Sequence, residues 1–146
     1  MICRKQHGDF SPRGGPVYED DLVYACHAHI SDDQTDQYLG WLVLETRRHV
    51  PDLASLTEAE AQRVGMLAGR LARVLKAELN AMKVYAFVVG EGMAHFHMHL
   101  IPRYPGTPHE FWGGHIDEWP GAPRGSKLDI EELCRKLCAQ MNIDKN

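Results

Sequence analysis

Apolar and polar residues alternate most regularly between positions 95 and 100. His95, His97 and His99 occupy the odd positions of this stretch, and apolar residues such as Phe96 occupy the even ones. A period of two predicts a β-strand, in which every second side chain points to the same face. We therefore expect the three imidazoles to share one face, about 6.5–7 Å apart. Imidazoles are poor core material because each needs hydrogen-bond partners, so this face is expected to line a site.

The apolar patterns before this stretch predict several further strands and one long helix. Strands are expected at Val17–Glu19, Leu22–Ala28, Tyr38–Leu44 and Lys83–Val89. Because the last of these lies close in sequence to the histidine strand, we expect the two to pair antiparallel.

The long helix is predicted from a capping signal and a helical spacing of apolar residues. Thr57 is the expected N-cap, and Glu60 completes a capping box three residues later. Apolar residues then recur at helical spacing, which predicts a helix that ends at about Asn80.

The C-terminal part of the chain combines a long tail with a final helix. The tail, residues 104–128, is rich in proline, glycine and tryptophan and cannot form a core alone. We expect it to fold over the sheet edge or over a ligand, where aromatic rings could stack on a base. The final helix is expected to begin at Asp129, with Glu132 as its capping-box partner. We interpret the chain as a single domain, 1–146, with an N-terminal segment at 1–16.

Composition narrows the class of protein. The chain has 146 residues, of which 44% are hydrophobic and 25% charged, as in an ordinary globular protein. A formal charge of −4 argues against nucleic acid as a partner, although it permits a small phosphate-bearing ligand.

The N-terminus lacks the apolar run of a signal peptide, and no stretch approaches the ~18 apolar residues of a membrane span. We therefore expect a cytoplasmic protein that does not bind membranes. The four cysteines imply no disulfide framework.

The stretch His95-Phe96-His97-Met98-His99-Leu100-Ile101 resembles the signature of the histidine triad (HIT) family, three histidines that alternate with apolar residues. The likeness extends from about Val17 to Arg103, and includes an apolar run that ends in basic residues and His49. The resemblance implies a HIT-like α+β fold with a central, mostly antiparallel sheet, one long helix and a C-terminal helix. Such proteins commonly assemble as homodimers.

The activity that the resemblance implies is hydrolysis or transfer of a nucleotidyl group at the α-phosphorus of a phosphoramidate or a dinucleoside polyphosphate. His97 would be the nucleophile and form a nucleotidyl-imidazole that water breaks. Its other ring nitrogen should donate to an acceptor such as a backbone carbonyl, which fixes the tautomer. His99 would bind a phosphate or leaving-group oxygen, and Arg103 and Trp41 are further nucleotide-binding candidates. This catalysis requires no cofactor.

The resemblance leaves two roles open for His95. It braces the site by hydrogen bonding in many relatives, whereas in others it ligates a structural zinc. A set formed by Cys3, His7, His49 and His95 would satisfy tetrahedral zinc.

Two departures from the family pattern keep other functions open. Many members have histidine at the position of Trp41, and an aspartate for the ribose hydroxyls at the position of Ala28. A nucleotide-binding or sensing module with slow turnover is one alternative. A zinc-dependent hydrolase is a weaker one, because alternate residues of an ordinary strand spread three histidines over about 13 Å.

Overall fold

The computed structural model describes residues 14–143. Its strands are β1 (Pro16–Glu19), β2 (Val23–His27), β3 (Gln37–Tyr38), β4 (Leu42–Thr46), β5 (Lys83–Phe87), β6 (His97–Arg103) and β7 (Arg124–Gly125). Its α-helices are α1 (Glu58–Leu79) and α2 (Lys127–Ile143). Short 3₁₀ helices span Leu53–Ser55, His109–Phe111 and Gly113–Glu118. Within residues 14–143, no helix combines the length and the apolar character that crossing a membrane requires.

An antiparallel sheet carries the histidine strand β6 between β4 and the edge strand β5. In the described part of the chain it has five strands in the order β1-β2-β4-β6-β5. The register places His97 opposite Glu45, and His99 between Val43 and Phe87. The predicted α+β class, the antiparallel sheet and the pairing of β5 with β6 are all confirmed.

The α-helices cover one face of this sheet. Helix α1 begins with the predicted capping box, since the Thr57 hydroxyl accepts from the Glu60 amide at 3.2 Å and the Glu60 carboxylate accepts from the Thr57 amide at 2.9 Å. It ends at Leu79 and is followed by the C-cap Asn80, whose φ of 52° is left-handed. The helix buries an apolar stripe made of Val64, Leu67, Leu71, Val74 and Leu75. That stripe, apolar residues of α2 and Leu100 of β6 belong to one hydrophobic cluster, which we call the helix-side core.

The tail packs over the opposite face of the sheet, rather than over the sheet edge that was one of its two predicted places. Ile101, the next residue of β6, packs with Tyr104, Ile116 and Ala122 of the tail and with Tyr38. We call this the tail-side cluster. Because neighbouring residues of a strand point to opposite faces, β6 contributes to both clusters, and His97 and His99 lie on the same face as Ile101.

The predicted bounds of one strand are wrong. The expected strand Tyr38–Leu44 is interrupted at Gly40, whose φ is +87°. As a result Tyr38 pairs with Arg124 in the small β3–β7 sheet, and β4 starts only at Leu42.

The start of the final helix also differs from the prediction. Ser126 caps it instead of Asp129, because Ser126 and Asp129 exchange hydrogen bonds in both directions. The helix therefore begins at Lys127, and the irregular tail ends before residue 128. At the other end of the chain, β1 starts at Pro16, inside the segment assigned to 1–16.

Candidate active site

The three histidines form a pair in contact, His97 and His99, and a buried neighbour, His95. The rings of His97 and His99 lie 5.0 Å apart and are perpendicular, at 89°. His95 precedes the first residue of β6, and its ring packs against His49 with the centroids 5.0 Å apart. The regular alternation therefore holds from His97 onward, while His95 lies in a bend and is only 1% exposed.

The tautomer of His97 is fixed by the backbone. Its Nδ1 atom lies 2.7 Å from the carbonyl oxygen of His95. A carbonyl can only accept, so Nδ1 carries the proton, and in the neutral ring Nε2 holds the lone pair. An unprotonated Nε2 on a half-buried ring is the atom that a nucleophilic histidine needs.

The tautomer of His99 is fixed in the opposite sense by Trp41. The indole Nε1–H donates to Nδ1 of His99 at 3.0 Å. Indole can only donate, so the proton of the neutral His99 ring is on Nε2. Burial, and then the neighbouring His97, lower the pKa of His99, which favours this neutral form. His99 therefore presents a hydrogen-bond donor, whereas His97 presents a lone pair.

A cavity of about 300 Å³ opens beside His99 and Trp41. Its walls are mostly apolar. They come from β5 and the residues after it, from β6 and from the tail: Phe87, Val89, Ile101, Gly114 and Ile116. Asp117 is the carboxylate among the lining residues. Sequence reasoning missed this cavity. One of its walls forms only when the tail packs on the sheet, and the tail has no periodic pattern of apolar residues that would predict this contact.

The second pair of histidines has the geometry of two metal ligands. The Nε2–H of His95 donates to the Thr46 carbonyl at 2.7 Å, and its Nδ1 lies 3.2 Å from Nδ1 of His49. Zn–N bonds of about 2.0–2.1 Å at tetrahedral angles place two ligand nitrogens about 3.3 Å apart. Ligating histidines also usually donate their other ring N–H to a carbonyl. His49 and His95 therefore fit a zinc ion, while the predicted partners Cys3 and His7 lie outside the described residues.

The structure does not bring Arg103 to the histidine pair. Its guanidinium stacks on the Trp112 ring at 3.8 Å and donates to the Tyr85 hydroxyl at 3.3 Å. It also lies four residues beyond His99 on the same strand, which corresponds to about 13 Å. Its phosphate-binding role stays a prediction.

Sequence reasoning also missed His27, whose hydrogen bonds fix the backbone around Trp41. The buried ring donates from Nδ1 to the Ala28 carbonyl at 2.9 Å, and its Nε2 accepts from the Gly40 amide at 2.9 Å. Ala28 in turn donates its amide to the Trp41 carbonyl at 2.7 Å. The signal in the sequence is a histidine at the end of an apolar strand run, where solvent cannot satisfy it.

We expect His27 to make stability depend on pH. Burial lowers its pKa from 6.5 to about 4, so between these values the unfolded chain binds a proton that the folded chain does not. Stability should therefore fall as the pH drops through this window, by about 3 kcal/mol in total. In urea unfolding between pH 7.5 and pH 4, His27→Gln should reduce the slope while keeping an acceptor near Gly40. Equal slopes in the two proteins would contradict this assignment.

The fold and the histidine pair define the class of protein. The family model described as HIT domain matches residues 15–106, more than half of the chain. The chain therefore belongs to the HIT domain family. Membership of this family suggests nucleotide binding or a hydrolase or transferase activity.

The curated relatives that this chain matches share low sequence identity with it. Protein hit of Bacillus subtilis is 26% identical over 127 residues, which cover 82% of this chain and 82% of that protein. An uncharacterized HIT-like protein of Mycoplasma genitalium is 30% identical over 70 residues, 44% of this chain. That match spans 50% of the curated Mycoplasma relative.

Solved structures show the same fold. A hypothetical histidine triad nucleotide-binding protein from Sulfolobus tokodaii superposes with a TM-score of 0.73 at 17% identity, covering 99% of this chain and 93% of its own. A zinc-bound histidine triad family protein from Mycobacterium smegmatis superposes with a TM-score of 0.70 at 17% identity, covering 98% and 95%.

Proposed function

We propose that this protein is a nucleotidyl hydrolase or transferase that acts at the α-phosphorus of a nucleotide conjugate. The observation that carries the proposal is the hydrogen bond from Nδ1 of His97 to the His95 carbonyl, because it places the lone pair of the neutral ring on Nε2. An imidazole nitrogen with a free lone pair can attack phosphorus without first losing a proton. Membership of the HIT domain family supports the same class of activity.

The reaction would proceed in two displacements. Nε2 of His97 forms a bond to phosphorus, and the leaving group departs with the electron pair of the bond that breaks. Water or another acceptor then attacks phosphorus, the P–N bond breaks, and its electron pair returns to Nε2. The Nε2–H of His99 would stabilise the charge that develops on a phosphate or leaving-group oxygen.

The intermediate can be trapped as a covalent adduct. We would mix the protein with an adenosine 5′-phosphoramidate or a dinucleoside polyphosphate, unfold it under alkaline conditions that preserve the P–N bond, and measure its intact mass. The expected result is a mass increase of one nucleotidyl group, assigned to His97 by peptide mapping. His97→Asn should show no adduct, whereas His109→Asn, a change in the tail, should retain it. Turnover that persists in His97→Asn would contradict the proposal.

Slow turnover in a nucleotide-binding module is the second candidate. The position of the family's ribose aspartate holds Ala28, whose backbone is hydrogen-bonded to Trp41. Stoichiometric binding of a nucleotide with neither adduct nor product would favour this function.

The zinc-dependent hydrolase stays a weaker alternative. The His95 ring packs against His49 whereas His97 and His99 contact each other, and residues 14–143 contain no cluster of three or more potential metal ligands. The homodimer and the small-molecule nucleotide ligand stay predictions that rest on the family resemblance.

We also propose a structural zinc held by Cys3, His7, His49 and His95. The support is the 3.2 Å separation of the two Nδ1 atoms and the hydrogen bond that fixes the His95 ring. A bound zinc would join the N-terminal segment to the end of β4 and the approach to β6, and it would supply no catalytic step.

Elemental analysis tests this metal site independently of activity. The purified protein is expected to contain one zinc per chain, and both Cys3→Ser and His49→Ala should lose it and lower the melting temperature. The matched control is His115→Ala, an exposed histidine of the tail. Equal zinc contents in the parent and in both ligand variants would contradict the proposal.

A further inference from the structure

His27 holds the middle of the segment that joins β3 to β4, residues 38–41, which we call the β3–β4 turn. The first half of the turn is held by the tail, because the Leu39 amide donates to the Pro123 carbonyl at 3.0 Å. The Gly40 amide instead donates to a side chain, the Nε2 atom of His27, at 2.9 Å. A residue of β2 therefore fixes the peptide at which the chain turns into β4.

His27 lies on the face of the sheet opposite to the histidine pair. In the register of the sheet His27 is opposite Leu42, and Leu42 is opposite Leu100. Residues directly opposite each other in an antiparallel sheet point to the same face. Leu42 and Leu100 belong to the helix-side core, whereas Trp41 packs on the tail-side cluster. The hydrogen bond between His27 and the Gly40 amide therefore links the two faces.

The two ring nitrogens of His27 both act on the backbone around Trp41. Nδ1 donates to the Ala28 carbonyl at 2.9 Å, so in the neutral ring Nε2 can accept from the Gly40 amide. The Ala28 amide in turn donates to the Trp41 carbonyl at 2.7 Å. One imidazole thus restrains the peptide before Trp41 and the residue that pairs with Trp41.

The Trp41 side chain carries this restraint to the histidine pair. Its indole Nε1–H donates to Nδ1 of His99 at 3.0 Å and keeps the proton of the neutral His99 ring on Nε2. Such a bond weakens steeply when donor and acceptor lose their alignment, so it depends on the backbone from which the indole extends. Building on the proposed function, we propose that His27 is a positioning residue for the reaction, which sets the tautomer of His99 through the β3–β4 turn and Trp41.

His27 can act on the reaction only through other residues. Its side chain is 1% exposed and faces the helices, so it touches no substrate. A residue with a merely structural role would lower stability when replaced and leave the tautomer of His99 unchanged. A positioning residue would change both that tautomer and kcat.

Two substitutions separate the two ring nitrogens of His27. In His27→Asn the amide can still donate to the Ala28 carbonyl, as Nδ1 does, but the side chain ends short of the Gly40 amide. In His27→Gln the longer side chain keeps an acceptor near that amide. His27→Asn should lower kcat about tenfold and leave KM within about twofold, because a donor loses its aim while substrate binding is retained. His27→Gln should recover most of this loss.

NMR of protein with isotopically labelled histidine measures the tautomer of His99 without any turnover. At a pH where the ring is neutral, the parent protein should show a protonated Nε2 and an unprotonated Nδ1, assigned by their absence in His99→Gln. In His27→Asn both tautomers should appear, and the Trp41 indole N–H signal should move as its hydrogen bond weakens. Unchanged His99 signals in His27→Asn would overturn the inference.

Val64→Ala is the control for a general loss of stability. Val64 of α1 is buried in the helix-side core, so its truncation should lower the melting temperature. The tautomer of His99 and kcat should stay as in the parent protein. A shift of the tautomer as large as in His27→Asn would overturn the specific role of His27. If His27→Asn does not fold, His27→Leu is a second variant with the same expected result.

A double-mutant cycle tests whether Trp41 carries the effect. Trp41→Phe removes the indole donor, keeps an aromatic ring, and should lower kcat about tenfold. Adding His27→Asn to Trp41→Phe should then cost less than about twofold more. If the two losses multiply, the residues act independently and the inference fails.

The outcomes separate this inference from the proposed function. An adduct on His97 in a protein whose His99 tautomer does not respond to His27 overturns the inference and leaves the proposed function standing. A tautomer that responds to His27 in a protein with neither adduct nor turnover supports the chain of hydrogen bonds and overturns the proposed function.

Discussion

His97→Asn is expected to lower kcat by about 10⁴-fold or more with every nucleotide conjugate, the range found when a nucleophile is removed. The reason is specific to one atom. An asparagine amide can still donate to the His95 carbonyl, as Nδ1 of His97 does at 2.7 Å, but it lacks the lone pair of Nε2. The measurement is steady-state turnover, with circular dichroism to verify folding.

His99→Gln is the control for this experiment. A glutamine amide places a donor near the position of Nε2 and loses only the acceptor for Trp41. We therefore expect a loss of about 10–10²-fold, smaller than the loss in His97→Asn. If the two variants lost the same activity, the distinction between a nucleophile and a hydrogen-bond donor would be wrong.

Gly40→Ala is expected to destabilise the protein by about 2–4 kcal/mol. The φ of Gly40 is +87°, which costs an L residue about 1 kcal/mol. A Cβ atom would also lie 2.9 Å from Cγ of Pro102 and closer still to Cδ1 of Leu79, and such overlap adds about 1–3 kcal/mol. The free energy of unfolding in urea measures the change.

Gly106→Ala separates the two contributions. Gly106 has a similar φ of +82°, but a Cβ there would meet nothing within 4 Å. It should cost only about 1 kcal/mol. A larger cost at Gly106 than at Gly40 would refute the role of close packing.

Gly40→Ala should also reduce activity, because the Gly40 amide donates a hydrogen bond to His27 and the next residue is Trp41.

Short sequence patterns predicted the elements that are stabilised by interactions between residues close in sequence. The period of two identified β6 and placed His97 and His99 on one face, which their ring contact confirms. Thr57 and Glu60 identified the start of α1 because a capping box is satisfied within four residues. The carbonyl partner of His97 was also predictable, since the chemistry requires a fixed tautomer.

The features that the sequence did not predict depend on distant residues. The apolar run from Tyr38 onward resembles one strand, but the Tyr38 hydroxyl donates to the carbonyl of Pro102, and the chain turns at Gly40. In the sequence, His27 looks like an ordinary strand residue. Only the structure shows that its ring accepts a hydrogen bond from the Gly40 amide. The stacking of Arg103 on Trp112 likewise became visible only when the tail was in place.

The tail-side cluster and the helix-side core are separate packing units. The tail-side cluster is the smaller one, so hydrogen exchange through sub-global opening should reach the amides around Ile116 before those of β6. Such an opened form would keep His97 and His99 on β6 and lose the wall that Ile116 of the tail gives to the cavity. The histidine pair and this wall would then belong to parts of the molecule that open at different rates.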